Sequence, residues 1–162
     1  MQEGHDVEIS GLEIRNFCIG IATVRSNNVY IHDVRIVDNH GAAGVIFSGD
    51  DGNSASTTSS FNNRLVNSVL LDNGDGFEFT RGTHDSLLQG NTIALTQALP
   101  VDGNAVEFAS SGDNNAVIGN TFTRYVDKTN GFFTATATAT DGSTSKFSRA
   151  VYLATQNASP VP

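Results

Sequence analysis

Short apolar–polar alternations recur along this chain, and each opens just after a Gly or Asn turn. The segments are GIATVRS from 20, GVIFSGD from 44, GFEFTRG from 76, AVEFASS from 105 and GFFTATA from 131. Their starts lie 24, 32, 29 and 26 residues apart. The residue after each start is Ile21, Val45, Phe77, Val106 or Phe132, and two further on come Thr23, Phe47, Phe79, Phe108 and Thr134. A period of two with one apolar column set is the signature of strands with one buried face.

A second set of strands precedes the first: VEISGLEI from 7, VYIHDVRI from 29, RLVNSVLL from 64, LLQGNTI from 87 and VIGNTF from 117. Apolar pairs such as Ile9/Leu12, Ile31/Val34 and Val66/Val69 flank a polar break that suits a bend between two strands. Asn91 and Asn120 hold equivalent places, so stacking would let their amides bond along the bend. No apolar period of 3.6 persists. Repeats of short strands predict an all-β solenoid of about five coils, since a single coil cannot bury its own face. An antiparallel sandwich is the competing fold. The expected layout is one domain over 1–162, with regular coils over 7–125 and irregular strands over 126–162.

The stretches NNVYIHDVRIVDNHGAAGVIFSGD and NRLVNSVLLDNGDGFEFTRGTHDSLLQGNTI resemble right-handed parallel β-helix repeats. Such repeats occur in pectate lyases, polygalacturonases, alginate C5-epimerases and phage tailspikes. THDSLLQGNTI looks most like coils of the epimerases. The resemblance implies a right-handed parallel β-helix and action on an extracellular polysaccharide. The signature elements of polygalacturonases other than a GDD string, and the Asp-Pro-His-Glu element of epimerases, are absent.

Stacked coils would bring Glu78 and Glu107 side by side on an outer face, where like charges destabilise a sheet. One carboxyl should then rise in pKa, or a cation or Arg should sit between them. Asp50, Glu78, Arg81 and Glu107 are expected on three successive coils of this face, with His84 just beyond. Paired carboxylates suit glycoside hydrolysis; Arg81 with His84 as base suits a uronate lyase or epimerase; clustered oxygens suit Ca²⁺. Solvated glutamates that turn apart, a turn at GDDG and a solvated His84 are the plainer expectations. The segments 50–63 and 96–102 are insertions that could wall this face.

Net charge is −8 with two lysines, Lys128 and Lys146, which weighs against nucleic acid. No apolar run approaches a membrane span. Cys18, between Phe17 and Ile19, reads as a buried small hydrophobe. The first residues lack the pattern of a signal peptide. Two function classes follow. One is a polysaccharide epimerase, lyase or glycoside hydrolase outside the cell. The other is a non-catalytic structural or adhesive module that associates end to end or laterally with its own copies.

Overall fold

The computed structural model describes residues 1–49, 60–96 and 103–123. These hold fourteen strands: β1 (Glu8–Ser10), β2 (Glu13–Arg15), β3 (Ile21–Val24), β4 (Tyr30–His32), β5 (Arg35–Val37), β6 (Ala43–Ser48), β7 (Arg64–Val66), β8 (Val69–Leu71), β9 (Asp75–Thr80), β10 (Leu87–Gln89), β11 (Thr92–Ala94), β12 (Val106–Ala109), β13 (Ala116–Ile118) and β14 (Thr121–Thr123). They pair in parallel throughout, in three sheets ordered β1-β4-β7-β10-β13, β2-β5-β8-β11-β14 and β3-β6-β9-β12.

Neighbours within each sheet are three strands apart in the chain, so each passage through three strands adds one rung to every sheet. The links from the first sheet to the second are as short as Gly11–Leu12, Asp33–Val34 and Gly90–Asn91. Links of that length leave no room for the crossover helices of βαβ units. No helix lies among the described residues, and none there is long and apolar enough to cross a membrane.

The expected five-coil, all-β right-handed β-helix is corrected by this arrangement. The sheets hold five, five and four strands, and two recurring strand families become three sheets. The physical reason is the polar break inside each member of the second family. At Gly11, Asp33, Asn67, Gly90 and Gly119 the backbone is left-handed, with φ of 66°, 51°, 49°, 66° and 62°. That conformation is easiest for Gly and next for Asn and Asp, so each break is the bend read from the sequence, and it seats its two strands in separate sheets. The fourth sheet-three partner, β12, is the last one described; GFFTATA and the tail over 124–162 lie outside the described residues.

The core is a set of stacked apolar columns. Ile31, Leu65 and Leu88 stack from the first sheet, Ile36, Leu70 and Ile93 from the second, and Val45 and Phe77 with Phe47 and Phe79 from the third; all are fully buried. Phe47 and Phe77 meet edge to face at 4.9 Å, while Phe79 and Phe108 stack at 5.1 Å. These are favourable aromatic geometries. Ile21–Val45–Phe77–Val106 and Thr23–Phe47–Phe79–Phe108 are paired in the columns read from the sequence.

Polar side chains hold the three corners. In each ladder a side-chain oxygen accepts the backbone N–H of the equivalent residue one coil earlier. Asn39 accepts from Phe17 and Asn73 from Asn39. Ser68 accepts from Val34, Asn91 from Ser68 and Asn120 from Asn91. Asn63 accepts from Val29, Ser86 from Asn63 and Asn115 from Ser86. The amide groups also run on between side chains, with Asn91 Nδ2 donating to Asn120 Oδ1 at 2.9 Å and Asn39 Nδ2 to Asn73 Oδ1 at 2.8 Å. Buried corners carry backbone groups that must be paired, and no buried side-chain N or O among the described residues lacks a partner. Cys18 is exposed, against the buried expectation, because it sits beside exposed Phe17 in the corner between β2 and β3.

Candidate functional site: a carboxylate cluster on the third sheet

Glu107 pairs with Glu78, and Glu78 with Ile46, so both glutamates stand in one outward column of the third sheet. Their flanking residues Phe77, Phe79 and Phe108 turn inward to the core. Alternation therefore forces the two glutamates outward. Strand pairing brings them side by side, as stacking requires.

Asp75 completes the cluster. One carboxylate oxygen each from Asp75, Glu78 and Glu107 lie within 4.8 Å of one another. Strict alternation would send Asp75 and Glu78 to opposite faces, but β9 bends at Gly76. A Cβ at Gly76 would meet the Ile93 side chain and the Ala105 carbonyl oxygen in the interior. Gly76 and Phe77 are thus both buried in succession, and Asp75 returns to the outer side. Its Oδ1 accepts the backbone N–H of Asn104 from the next coil.

The electrostatics follow from crowding. Partial burial pushes the Glu78 carboxyl up to about 7, helped by the charges of Asp75 and Glu107 and by a hydrogen bond with Asp75, while the Arg81 charge pulls it back. Glu107 is raised too, first by burial and then by the Asp75 charge. A carboxyl hydrogen bond between two acids requires one of them to be protonated. Near neutral pH this face thus offers a carboxylic acid beside carboxylates. The same three groups form an oxygen-rich donor set of the kind a hard divalent cation takes.

The other expected site residues divide. Arg81 follows β9 in a left-handed conformation, φ 52°, exposed and close enough for its charge to act on Glu78. His84 belongs to a different corner. Its Nδ1 lies 2.6 Å from Asp85 Oδ2, and its ring stacks on Phe61 with centroids 5.5 Å apart. That is the plainer reading of His84, a turn residue held by its neighbours. Asp50 lies outside the described residues, as do most of the two insertions. Sequence alternation does not bring Asp75 to this face, although it stands directly before GFEFTRG; the burial of both Gly76 and Phe77 is not visible in an alternation count.

No family model matches the chain. A curated relative, the 3-dehydroshikimate dehydratase of Acinetobacter baylyi, is 42% identical over 129 residues, which is 78% of this chain and 26% of the relative. The chain thus spans about a quarter of the length of the curated relative it matches. That finding corrects the expected kinship with pectate lyases, polygalacturonases and alginate epimerases. It also overturns the expected action on an extracellular polysaccharide as hydrolase, lyase or epimerase. Strand repeats report how a chain stacks, and the chemistry sits in side chains placed on the stack; the resemblance had carried one over to the other.

Proposed function

We propose that this chain is part of an enzyme that dehydrates 3-dehydroshikimate, and that the Asp75–Glu78–Glu107 face supplies its acid and base. The similarity to the Acinetobacter baylyi dehydratase carries this reading. The site chemistry supports it.

3-Dehydroshikimate is a β-hydroxy ketone with a ring carboxylate. Loss of water takes a proton from the carbon between the ketone and the carbinol carbon. The C–O bond of the β-hydroxyl then breaks, and that oxygen leaves as water after gaining a proton. Tautomerisation gives 3,4-dihydroxybenzoate. The reaction needs one group to accept a proton and one to donate it. Glu78, held up to about 7, is the donor, and Glu107 beside it is the acceptor. Glu78 carries the larger set of raising causes, its deeper burial with the charges of Asp75 and Glu107, and this assigns it the acid role. Arg81 is the cation of this face and meets the substrate carboxylate, which the acidic cluster would otherwise repel.

The test is to incubate the full protein with 3-dehydroshikimate and follow 3,4-dihydroxybenzoate by its ultraviolet absorbance. The expected result is product formation that falls by about 10²–10⁴ in Glu78→Gln, the range for loss of a general acid, and is unchanged in His84→Gln. Absence of product, or full activity in Glu78→Gln, refutes the reading.

A further inference from the structure

Three His-Asp pairs recur at turns: His5–Asp6, His32–Asp33 and His84–Asp85. In each, the His Nδ1 faces the Oδ2 of the next residue, at 3.3, 2.7 and 2.6 Å. Each Asp is left-handed, with φ of 55°, 51° and 50°. His32 differs in what its second nitrogen meets. Its Nε2 lies 2.9 Å from Glu8 Oε1, one coil away on β1.

A neutral imidazole has one N–H and one lone pair. Between two carboxylates it can donate to only one, and its lone pair then faces the oxygen of the other. The imidazolium donates to both. We propose that His32 is a proton-dependent clamp that docks the β1 coil onto β4 in its charged form and releases it in its neutral form.

The surroundings favour the charged form. Glu8 faces His32 from β1 and Asp33 from the following turn. Tyr30 on the same strand stacks on the ring, with centroids 4.4 Å apart and planes at 25°. Arg64 of β7 lies over the Tyr30 ring, 5.8 Å from its centroid, and is the one cation named in this group. Ser10 and Val66, the strand partners of His32, carry no charge. The Asp33 hydrogen bond, then the Glu8 hydrogen bond, hold the His32 pKa above its ordinary 6.5.

β1 is the end strand of its sheet, paired on one side only, with β4, and the clamp adds to that backbone pairing. Glu8 and Ser10 are exposed, and Ile9 alone of the strand packs on the core. Undocking removes the Glu8 bond and leaves the Asp33 bond, so the clamp is fully present below the pKa that His32 keeps with Asp33 alone, and is lost as pH rises through the higher value of the docked state. One linked proton changes the docking equilibrium by at most tenfold per pH unit within that window.

Two readouts on the full chain test the clamp. Proton NMR follows the His32 ring through its titration. Hydrogen exchange, corrected for its intrinsic pH dependence, follows the Tyr30 amide, which donates to Val7 O at 2.8 Å across the β1–β4 seam. The Thr92 amide, which donates to Ser68 O at 2.9 Å, is the internal reference. The expected result is a His32 midpoint above 6.5 and a loss of Tyr30 protection of up to tenfold per pH unit above it, with Thr92 unchanged. Glu8→Gln should lower the midpoint and weaken Tyr30 protection at pH 6, and His32→Gln should abolish the pH dependence. A His32 midpoint at or below 6.5, or Tyr30 protection that ignores both pH and Glu8→Gln, overturns the proposal.

Discussion

Replacing Asn73 with Ala tests whether the corner ladders hold the stack together. Asn73 is fully buried. Its Oδ1 accepts from the Asn39 backbone N–H at 3.1 Å and from Asn39 Nδ2 at 2.8 Å, and its Nδ2 donates to Ile36 O at 3.0 Å. The substitution strands the Asn39 N–H, which costs about 1–3 kcal/mol for a buried donor without an acceptor. Asn39 Nδ2 keeps Val37 O, so the amide and the Ile36 carbonyl each lose one bond among others, at about 1 kcal/mol apiece. The expected loss is about 3–5 kcal/mol. With a urea slope of about 1–3 kcal/mol per molar, the midpoint of a circular-dichroism melt falls by more than about 1 M. Asn28→Gly is the matched control. Asn28 is an exposed member of an outer ladder, bonded to Asp6 at 2.9 Å and Asn62 at 2.7 Å, and its φ of 54° suits Gly. Its loss should stay within about 1 kcal/mol, since water replaces the contacts. Equal midpoints for the two variants would refute the claim that buried amide ladders fix the corners.

Other outcomes follow from the same geometry. Between about pH 4.5 and 7 Glu78 keeps its proton in the folded chain and loses it in the unfolded chain, so stability falls as pH rises through that window. Glu78→Gln should therefore match the parent at pH 4 and exceed it at pH 8 by about 1–2 kcal/mol, after roughly halving for solvent screening; paired thermal melts read the difference, and equal curves at pH 8 would contradict it. Gly76→Ala should destabilise by about 1–3 kcal/mol because its Cβ has no room against Ile93 and the Ala105 carbonyl; chemical denaturation measures this, and a neutral result would remove the bend that returns Asp75 to the outer face. Asp75→Asn should lower the Glu78 pKa and shift the acid–base profile of dehydration to lower pH, which steady-state rates across pH would show; an unmoved profile counts against a proton held between the two.

The repeat was legible in the chain because every coil spends the same residues at the same places. Phe47, Phe79 and Phe108 align in sequence and pair in space, and Asn91 and Asn120 meet as their spacing suggests. The Glu78–Glu107 neighbourhood was legible for the same reason. The bend inside each member of the second strand family was legible as a polar break, and Asp33 and Asn67 turn the backbone there through φ 51° and 49°. Asp75 escaped because its side depends on a buried glycine bend rather than on parity. His84 stands three residues from Arg81 in sequence, while the corner at Thr83 sets it against Phe61 and Asp85, a placement that nearness in sequence does not show. Thr83 itself is tied inward, donating to Phe47 O at 2.7 Å. The polysaccharide reading came from a likeness of coils, and coils are shared by proteins of unlike chemistry.

The carboxyl titration of Glu78, followed by carbon NMR in the full chain, decides whether the three acids crowd one face. The midpoint should lie near 7 and move toward the ordinary 4.5 when Glu107 is replaced by Gln or Asp75 by Asn. A midpoint at 4.5 in the unaltered protein would mean that the three carboxyls do not share a crowded face, and the proposed acid would be gone.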